Sequence, residues 1–314
     1  MPFAIQYDRF GGPEVLELRE IPYSTPGPGQ VVVEVRAAGV NPIDWKLRAA
    51  IRPSGELHGW RGVGTDAAGV VTAVASDVDE VAPGDEVIVS DAKGAYATEL
   101  VVGAGHVARK PAGLPWEQAA AIPIPAGTAY QVLRSLGVGK GDTLLWHAGS
   151  GSVGQFAIQF ARAAGAEVFA TASERNHDRL RELGAIPVTY GEGLADRVRA
   201  AAPGGITVAV DAAGTDEAIA VSKELVADHD RIGTIVQGAK AAELGIRAWS
   251  GGNPVPLTAE ELALRAEAVP YAAELAARGE LDIEIAHRYP LAEAAEAHRQ
   301  SETGHVRGKI VLLP

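Results

Sequence analysis

Short runs of alternating apolar and polar residues dominate the first third of the chain. Val31-Val-Val-Glu-Val-Arg36, Ala68-Gly-Val-Val-Thr-Ala-Val74 and Glu86-Val-Ile-Val89 are rich in β-branched residues, and Pro26-Gly-Pro-Gly29 and Pro83-Gly-Asp85 supply turns. This pattern predicts a β-rich domain, a partly closed barrel. Beyond residue 140 the period changes. Strands are expected at Thr143–His147, Glu167–Thr171, Pro187–Tyr190, Thr207–Asp211, Ile232–Gln237 and Leu244–Trp249. Between them, helices are expected at Val153–Ala164, Arg175–Leu183, Ala195–Ala202 and Asp216–Val226, with a weaker one near Lys240. Such alternation implies an α/β unit, a doubly wound parallel sheet with helices on both faces.

The tail changes character again. Ala259–Arg278 reads as a long Ala/Leu/Glu helix, Leu291–Ser301 as another, and Gly308-Lys-Ile-Val-Leu-Leu-Pro314 as a closing apolar strand. A lone strand after helices needs a sheet to join, and the N-terminal β-rich domain is the natural host. The expected organisation is therefore discontinuous: residues 1–122 completed by 258–314, with 123–257 inserted as the nucleotide domain. Ile122-Pro-Ile-Pro-Ala-Gly127 is expected to be the rigid crossover between them. No internal repeats or low-complexity segments occur.

Composition then removes several classes of function. A formal net charge of −12 argues against general binding of nucleic acid or membrane surfaces, so any phosphate site must be a local basic pocket. No apolar run approaches the roughly 18 residues of a membrane span. The stretch Met1-Pro-Phe-Ala-Ile-Gln-Tyr-Asp8 has neither a basic region nor a signal-type apolar core, so a cytoplasmic enzyme is expected. The absence of cysteine excludes disulfides, a thiolate nucleophile and cysteine-ligated metal. The histidines form no His-x-x-x-His pair, and His58, His106 and His147 read as surface or hydrogen-bonded core residues.

The strongest chemical signal is Thr143-Leu-Leu-Trp-His-Ala-Gly-Ser-Gly-Ser-Val-Gly154. An apolar run leads into Gly149-x-Gly151-x-x-Gly154, and a helical pattern follows without a break. A helix that starts on a glycine turn offers unpaired backbone N–H groups and the positive end of its dipole to an anion. With a strand before and a helix after, the motif has the context of a dinucleotide fingerprint. Gly149, Gly151 and Gly154 would shape the turn, and Ser150, Ser152 and Val153 would hold a pyrophosphate through backbone N–H groups.

Other motifs stand in a characteristic order along nearly the whole chain. They are Asn41-Pro-Ile-Asp44, Gly64-Thr-Asp-Ala-Ala-Gly69, Pro83-Gly-Asp85, Gly127-Thr-Ala-Tyr130, the glycine turn, Val210-Asp-Ala-Ala-Gly214 and Gly308-Lys-Ile-Val311. In these the chain resembles the medium-chain dehydrogenase/reductase superfamily, and within it the zinc-free quinone oxidoreductase branch. The resemblance implies a GroES-like β-barrel catalytic domain joined to a Rossmann nucleotide domain. Zinc-dependent members carry a catalytic cysteine where this chain has Asn41, and Gly-His-Glu where it has Gly64-Thr65-Asp66. Their structural zinc lobe would fall between about Asp91 and Val101, where only a short Asp-Ala-Lys-Gly turn stands. Without a Lewis acid, an ordinary alcohol or ketone is not polarised. The implied reaction is hydride transfer to an acceptor that is already electron-poor, a quinone or an α,β-unsaturated carbonyl.

The cofactor follows from the end of the second nucleotide-domain strand. An acidic residue there binds the ribose hydroxyls in NAD-dependent proteins. Here the position falls on Thr171, and Ala172-Ser-Glu-Arg175 follows. Ser173 and Arg175 suit a 2′-phosphate, and Tyr190 matches a family position beside it, so NADP(H) is the expected cofactor. Glu174 is discordant and reads as a solvated side chain.

The remaining candidates come from the resemblance. Asn41 is the candidate catalytic and nicotinamide-side residue, although Asn-Pro also favours turns on its own account. Asp44 and Asp66 read as carboxylates that tie turns rather than as an acid/base pair. Thr128 and Gln237 are expected to border the cofactor, with Gln237 at a strand end. Lys309 and Arg307 are candidates to reach NADPH, with surface charge as the other reading. Tyr96 and Tyr130 could donate a proton, or simply pack; solvent can supply the proton instead. Trp45 and Trp60, in or beside the segment Leu47–Val63, could stack on a flat acceptor at the substrate cleft, or pack. The leading function is an NADPH-dependent quinone oxidoreductase without metal. An enone or enoyl (2-alkenal) reductase is the alternative within enzymes, and a catalytically weak NADPH-binding regulator the alternative of another class. The partners expected are a small electron-poor acceptor and a second copy of the chain. That homodimer would pair through an apolar edge at Leu244–Trp249.

Overall fold

The computed structural model describes residues 1–250 and 252–314. The chain divides into two compact units, Met1–Ile124 with Val269–Pro314, and Pro125–Ala268. The second division falls inside the long helix Ala259–Ala277, next to its internal Pro270.

In the first unit the eleven-residue strand Gln30–Val40 organises a seven-stranded sheet. It pairs antiparallel with Asp66–Val74, with Glu99–Gly103 and with the C-terminal strand Lys309–Leu313. The C-terminal strand thus joins the N-terminal sheet, and it also lies parallel to Ile285–Pro290, a strand its sequence pattern does not announce. That strand is exposed or half-buried throughout and has no continuous apolar face to betray it. Alternate residues Val31, Val33, Val35, Val87, Val89 and Ile310 fill the core. A small sheet of Glu17–Glu20, Phe3–Tyr7 and Arg61–Gly62 lies in the same unit.

The second unit holds a six-stranded sheet. Its spatial order is Ile186–Thr189, Glu167–Ala172, Thr143–His147, Val208–Asp211, Ile232–Thr234 and Arg247–Ala248, every pair parallel. In chain order this is 3-2-1-4-5-6, the doubly wound arrangement with its switch point beside Thr143–His147. Leu145, Phe169, Ala209 and Ile232 from the strands pack with Val198 and Val221 from the helices.

Several elements depart from expectation. The expected crossover Ile122–Gly127 contains the division between the units, and the helix Pro123–Ser135 begins within it. Prolines are tolerated in a first helical turn, where the N–H groups have no helical acceptor anyway. The strand expected to reach Gln237 stops at Thr234. There the Thr234 hydroxyl accepts from the N–H groups of Val236 and Gln237 and turns the chain. The expected edge strand Leu244–Trp249 is shorter, Arg247–Ala248; it stands at the end of the six-stranded sheet, and Trp249 beside it is only 3% exposed. Among the described residues, no helix is long and apolar enough to cross a membrane.

Candidate functional site

In the nucleotide unit, the strand Thr143–His147 runs into a turn whose first residue, Ala148, has φ 60°. Thr171 on the neighbouring strand pins this turn. Its carbonyl accepts from Gly149 N–H at 2.9 Å and its hydroxyl from Ala148 N–H at 3.1 Å. The helix Ser152–Ala163 then starts with Gly151 as a cap that offers no side chain. Its first helical bond runs from Gln155 N–H to Gly151 C=O, leaving Ser152, Val153 and Gly154 N–H without a helical acceptor. A Cβ on Gly154 would lie 2.6 Å from the Ala148 carbonyl oxygen, so only glycine lets the helix start this close to the turn.

Thr171 is buried and occupied by the turn, and the strand continues to Ala172. The strand end is therefore one residue later than expected, and it is neutral at both positions. The single-turn helix Glu174–Asn176 follows. Glu174 and Arg175 are exposed, and Arg175 makes no ion pair or hydrogen bond among the described residues. Asn176, which sequence reasoning missed, is buried and donates from Nδ2 to Ser150 Oγ at 3.1 Å and Ser173 Oγ at 3.2 Å. Tyr190 is 52% exposed just past the third strand. Thr128 is buried within the helix Pro123–Ser135, and neither it nor Gln237 is hydrogen-bonded to the turn among the described residues. His147 is a core residue hydrogen-bonded to Ser222 at 3.1 Å, and burial pushes its pKa down to about 4.

The barrel unit gathers a second polar group through sheet register. Asp66 is opposite Gly39, and Ile310 is opposite Val40. Asn41 follows Val40 directly, so the two flanking strands deliver Asp66 and Lys309 to it. Asn41 also starts the helix Pro42–Arg48, with proline at its first position. Its backbone N–H donates to Asp44 at 2.9 Å, one half of a capping box. The Asn41 side chain donates to Asp66 Oδ2 at 2.9 Å and accepts from Lys309 Nζ at 2.5 Å. Asp66 also accepts from Ile124 N–H and the Thr65 hydroxyl, and Lys309 Nζ lies 3.6 Å from it. Burial raises the Asp66 pKa and lowers that of Lys309, with each charge opposing the shift of the other.

A relay extends from Asp44. Tyr96 donates to Asp44 Oδ2 at 2.8 Å, His298 Nε2 lies 3.3 Å from the Tyr96 oxygen, and Arg48 is 3.2 Å from His298 Nδ1. Arginine can only donate, so His298 Nδ1 accepts and Nε2 carries the hydrogen. Tyr96 then accepts from His298 and gives its own proton to Asp44. Arg48 ends the relay on Glu302 at 2.5 Å. Burial pushes Asp44 up to about 7 and His298 down to about 3. Gly64 makes room for Tyr96: at φ 93°, a Cβ there would sit 2.3 Å from the ring. Arg48, His298 and Glu302 were not anticipated. The available signal was His298 on the buried face of its helix, beside Ala294 and Ala297.

The remaining candidates are more ordinary. Lys309 is not a surface cation, since Asn41 and Asp66 engage its ammonium; Arg307 pairs with Glu284. Tyr130 donates to Glu267. Trp60 is partly exposed with the Arg19 guanidinium 3.6 Å from its ring centre, so one ring face is covered. Trp45 is half-buried, and its indole N–H is enclosed without a hydrogen-bond partner among the described residues.

Comparisons with known proteins agree with this construction. Residues 27–125 match the alcohol dehydrogenase GroES-like domain family, and residues 183–312 match the zinc-binding dehydrogenase family. A quinone oxidoreductase of Pseudomonas aeruginosa is 34% identical over 330 residues, covering 99% of each chain. The chain belongs to the quinone oxidoreductase branch of the medium-chain dehydrogenase/reductase superfamily. Within that superfamily its fold matches the crystal structure of Escherichia coli quinone oxidoreductase complexed with NADPH, with a TM-score of 0.84, 28% identity, and coverage of 99% of this chain and 100% of the other. It also matches a phthioceranic/hydroxyphthioceranic acid synthase of Mycobacterium tuberculosis at 34% identity over 315 residues, 96% of this chain but 15% of the synthase. Among the described residues of this branch member, no three His, Cys, Asp or Glu side chains are grouped as metal ligands.

Proposed function

We propose that the protein is an NADPH-dependent quinone oxidoreductase that works without zinc. The observation that carries the cofactor is the glycine turn at a helix start, followed on the next strand by a neutral end and an Arg175 that is unengaged among the described residues. These residues fit the group: three N–H groups lack helical acceptors, and a Cβ on Gly151 would meet only the Ala148 carbonyl oxygen, at 3.6 Å. Ser152, Val153 and Gly154 hold the pyrophosphate through their N–H groups. Arg175 and Ser173 hold the 2′-phosphate, with Tyr190 beside it. A charge-assisted contact of this type is worth about 1.5–3 kcal/mol, enough to set preference over NADH. NADPH, when bound, supplies the hydride.

On the acceptor side the proposed donor is Asn41. Lys309 and Asp66 fix its amide so that Oδ1 and one N–H are engaged, and the second N–H has only the Gly39 carbonyl at 3.5 Å. That N–H is the group left for an oxygen that gains charge, a contact of about 2.7–4 kcal/mol in comparable sites. Zinc independence rests on the ligand set, since the positions of metal-holding residues carry Asn41 and Gly64-Thr65-Asp66. The second reading is an enone or enoyl reductase, which would use the same cofactor turn and the same Asn41 donor.

NADPH absorbance followed against quinones, enones and enals, before and after dialysis against a chelator, tests these readings. Chelator-insensitive oxidation by quinones is expected. Oxidation by enones alone would select the reductase, and tight binding with no oxidation by any acceptor would leave a regulator. The dimer expected from the resemblance, paired through the edge near Leu244–Trp249, is decided by the mass in solution.

A further inference from the structure

We propose that Asn176 is a positioning residue that sets NADPH affinity by joining the glycine turn to the loop after the second strand. Asn176 is 8% exposed and touches neither phosphate position through charge. Its amide spends both Nδ2 hydrogens on two hydroxyls, Ser150 of the glycine turn at 3.1 Å and Ser173 at 3.2 Å. A serine hydroxyl has one hydrogen to give. With each oxygen already accepting from Asn176, each hydroxyl proton is free to be donated outward to a phosphate oxygen. The turn and the loop are thereby held together as two donors of fixed polarity, and Arg175, immediately before Asn176, is carried on the same single-turn helix. Asn176 is also the residue from which the helix His177–Glu182 starts, so its backbone position is set by that helix.

The inference rests on the 2′-phosphate reading of Ser173 and Arg175. Binding of NADPH and NADH to the intact protein, measured by nicotinamide fluorescence, separates the two claims. Asn176→Ala is expected to raise the NADPH Kd about five- to tenfold and the NADH Kd about twofold. In the double variant Ser173→Ala/Asn176→Ala the NADPH loss should be smaller than the sum of the two single-variant losses, because Asn176 acts through Ser173. Asn176→Asp keeps the size and can keep both contacts, but only by accepting, which draws the serine protons inward. It is expected to bind NADPH at least as weakly as the alanine variant.

Rescue of NADPH affinity by aspartate, additive losses in the double variant, or unchanged Kd values in a folded Asn176→Ala would overturn the proposal while Arg175→Ala still shifts preference toward NADH. Equal losses for both cofactors in Arg175→Ala would instead overturn the 2′-phosphate reading, and the selectivity ascribed to Asn176 with it.

Discussion

Replacing Lys309 with methionine removes one charge from a pair that the sheet register buries, and the consequences can be worked out from the contacts. The Lys309 and Asp66 side chains are 3% and 0% exposed, respectively. Methionine keeps most of the apolar stem but leaves the Asp66 carboxylate in the interior with no cation, and leaves Asn41 Oδ1 without its donor. Breaking a buried pair from one side costs about 3–5 kcal/mol, most of it the burden of the charge left behind. Asp66 can escape that burden by taking up a proton, and burial already raises its pKa. The loss should therefore be largest at alkaline pH and shrink as the pH falls. Removing both charges in Asp66→Asn/Lys309→Met should recover much of the stability, since the neutral pair leaves no buried ion. Denaturant unfolding across pH, read by tryptophan fluorescence and by hydrogen exchange of the strand Lys309–Leu313, measures each term. A loss below about 1 kcal/mol for Lys309→Met, or one independent of pH, would refute the assignment of a charged pair.

Other substitutions probe neighbouring parts. Burial raises Asp44 to about 7, so the native state binds its proton more tightly than the unfolded chain. The stabilisation is full below the unfolded value near 4 and is lost as the pH rises through about 7; Asp44→Asn should remove that part of the pH dependence, up to about 4 kcal/mol. Tyr96→Phe deletes both the donor to Asp44 and the acceptor of His298, and thermal or denaturant unfolding should show a loss of about 1–3 kcal/mol. Gly154→Ala places a methyl 2.6 Å from a backbone carbonyl that cannot swing away, and NADPH titration should show binding weakened at least tenfold in a protein that remains folded.

The sequence pattern made the parallel sheet legible because each strand of that unit is a short apolar run between helices, and Thr143–His147 and Asp216–Leu225 fall close to expectation. Ile285–Pro290 was not legible, since its residues show no buried face. The shortening at Thr234 was invisible for another reason: it depends on a hydroxyl that bends the chain back, and apolar periodicity does not report side-chain turns. At the candidate site, residues within a motif could be read and partners from distant segments could not. Asn41 stood out beside Pro42, but its bonds to Asp66 and Lys309 arise from strand pairing across 25 and 268 positions of sequence. Asn176 escaped notice because its role is to hold other side chains, and no local pattern marks a residue that binds serines on two separate loops.

The cofactor and metal assignments are tested most directly by the rate of NADPH oxidation by a quinone, measured beside that of NADH on the same preparation after exhaustive chelation. The prediction is quinone-dependent turnover with kcat/KM for NADPH at least about tenfold above that for NADH, the ratio expected from one charge-assisted contact. Tight NADPH binding without turnover, turnover that vanishes with the metal, or equal use of the two cofactors would contradict it.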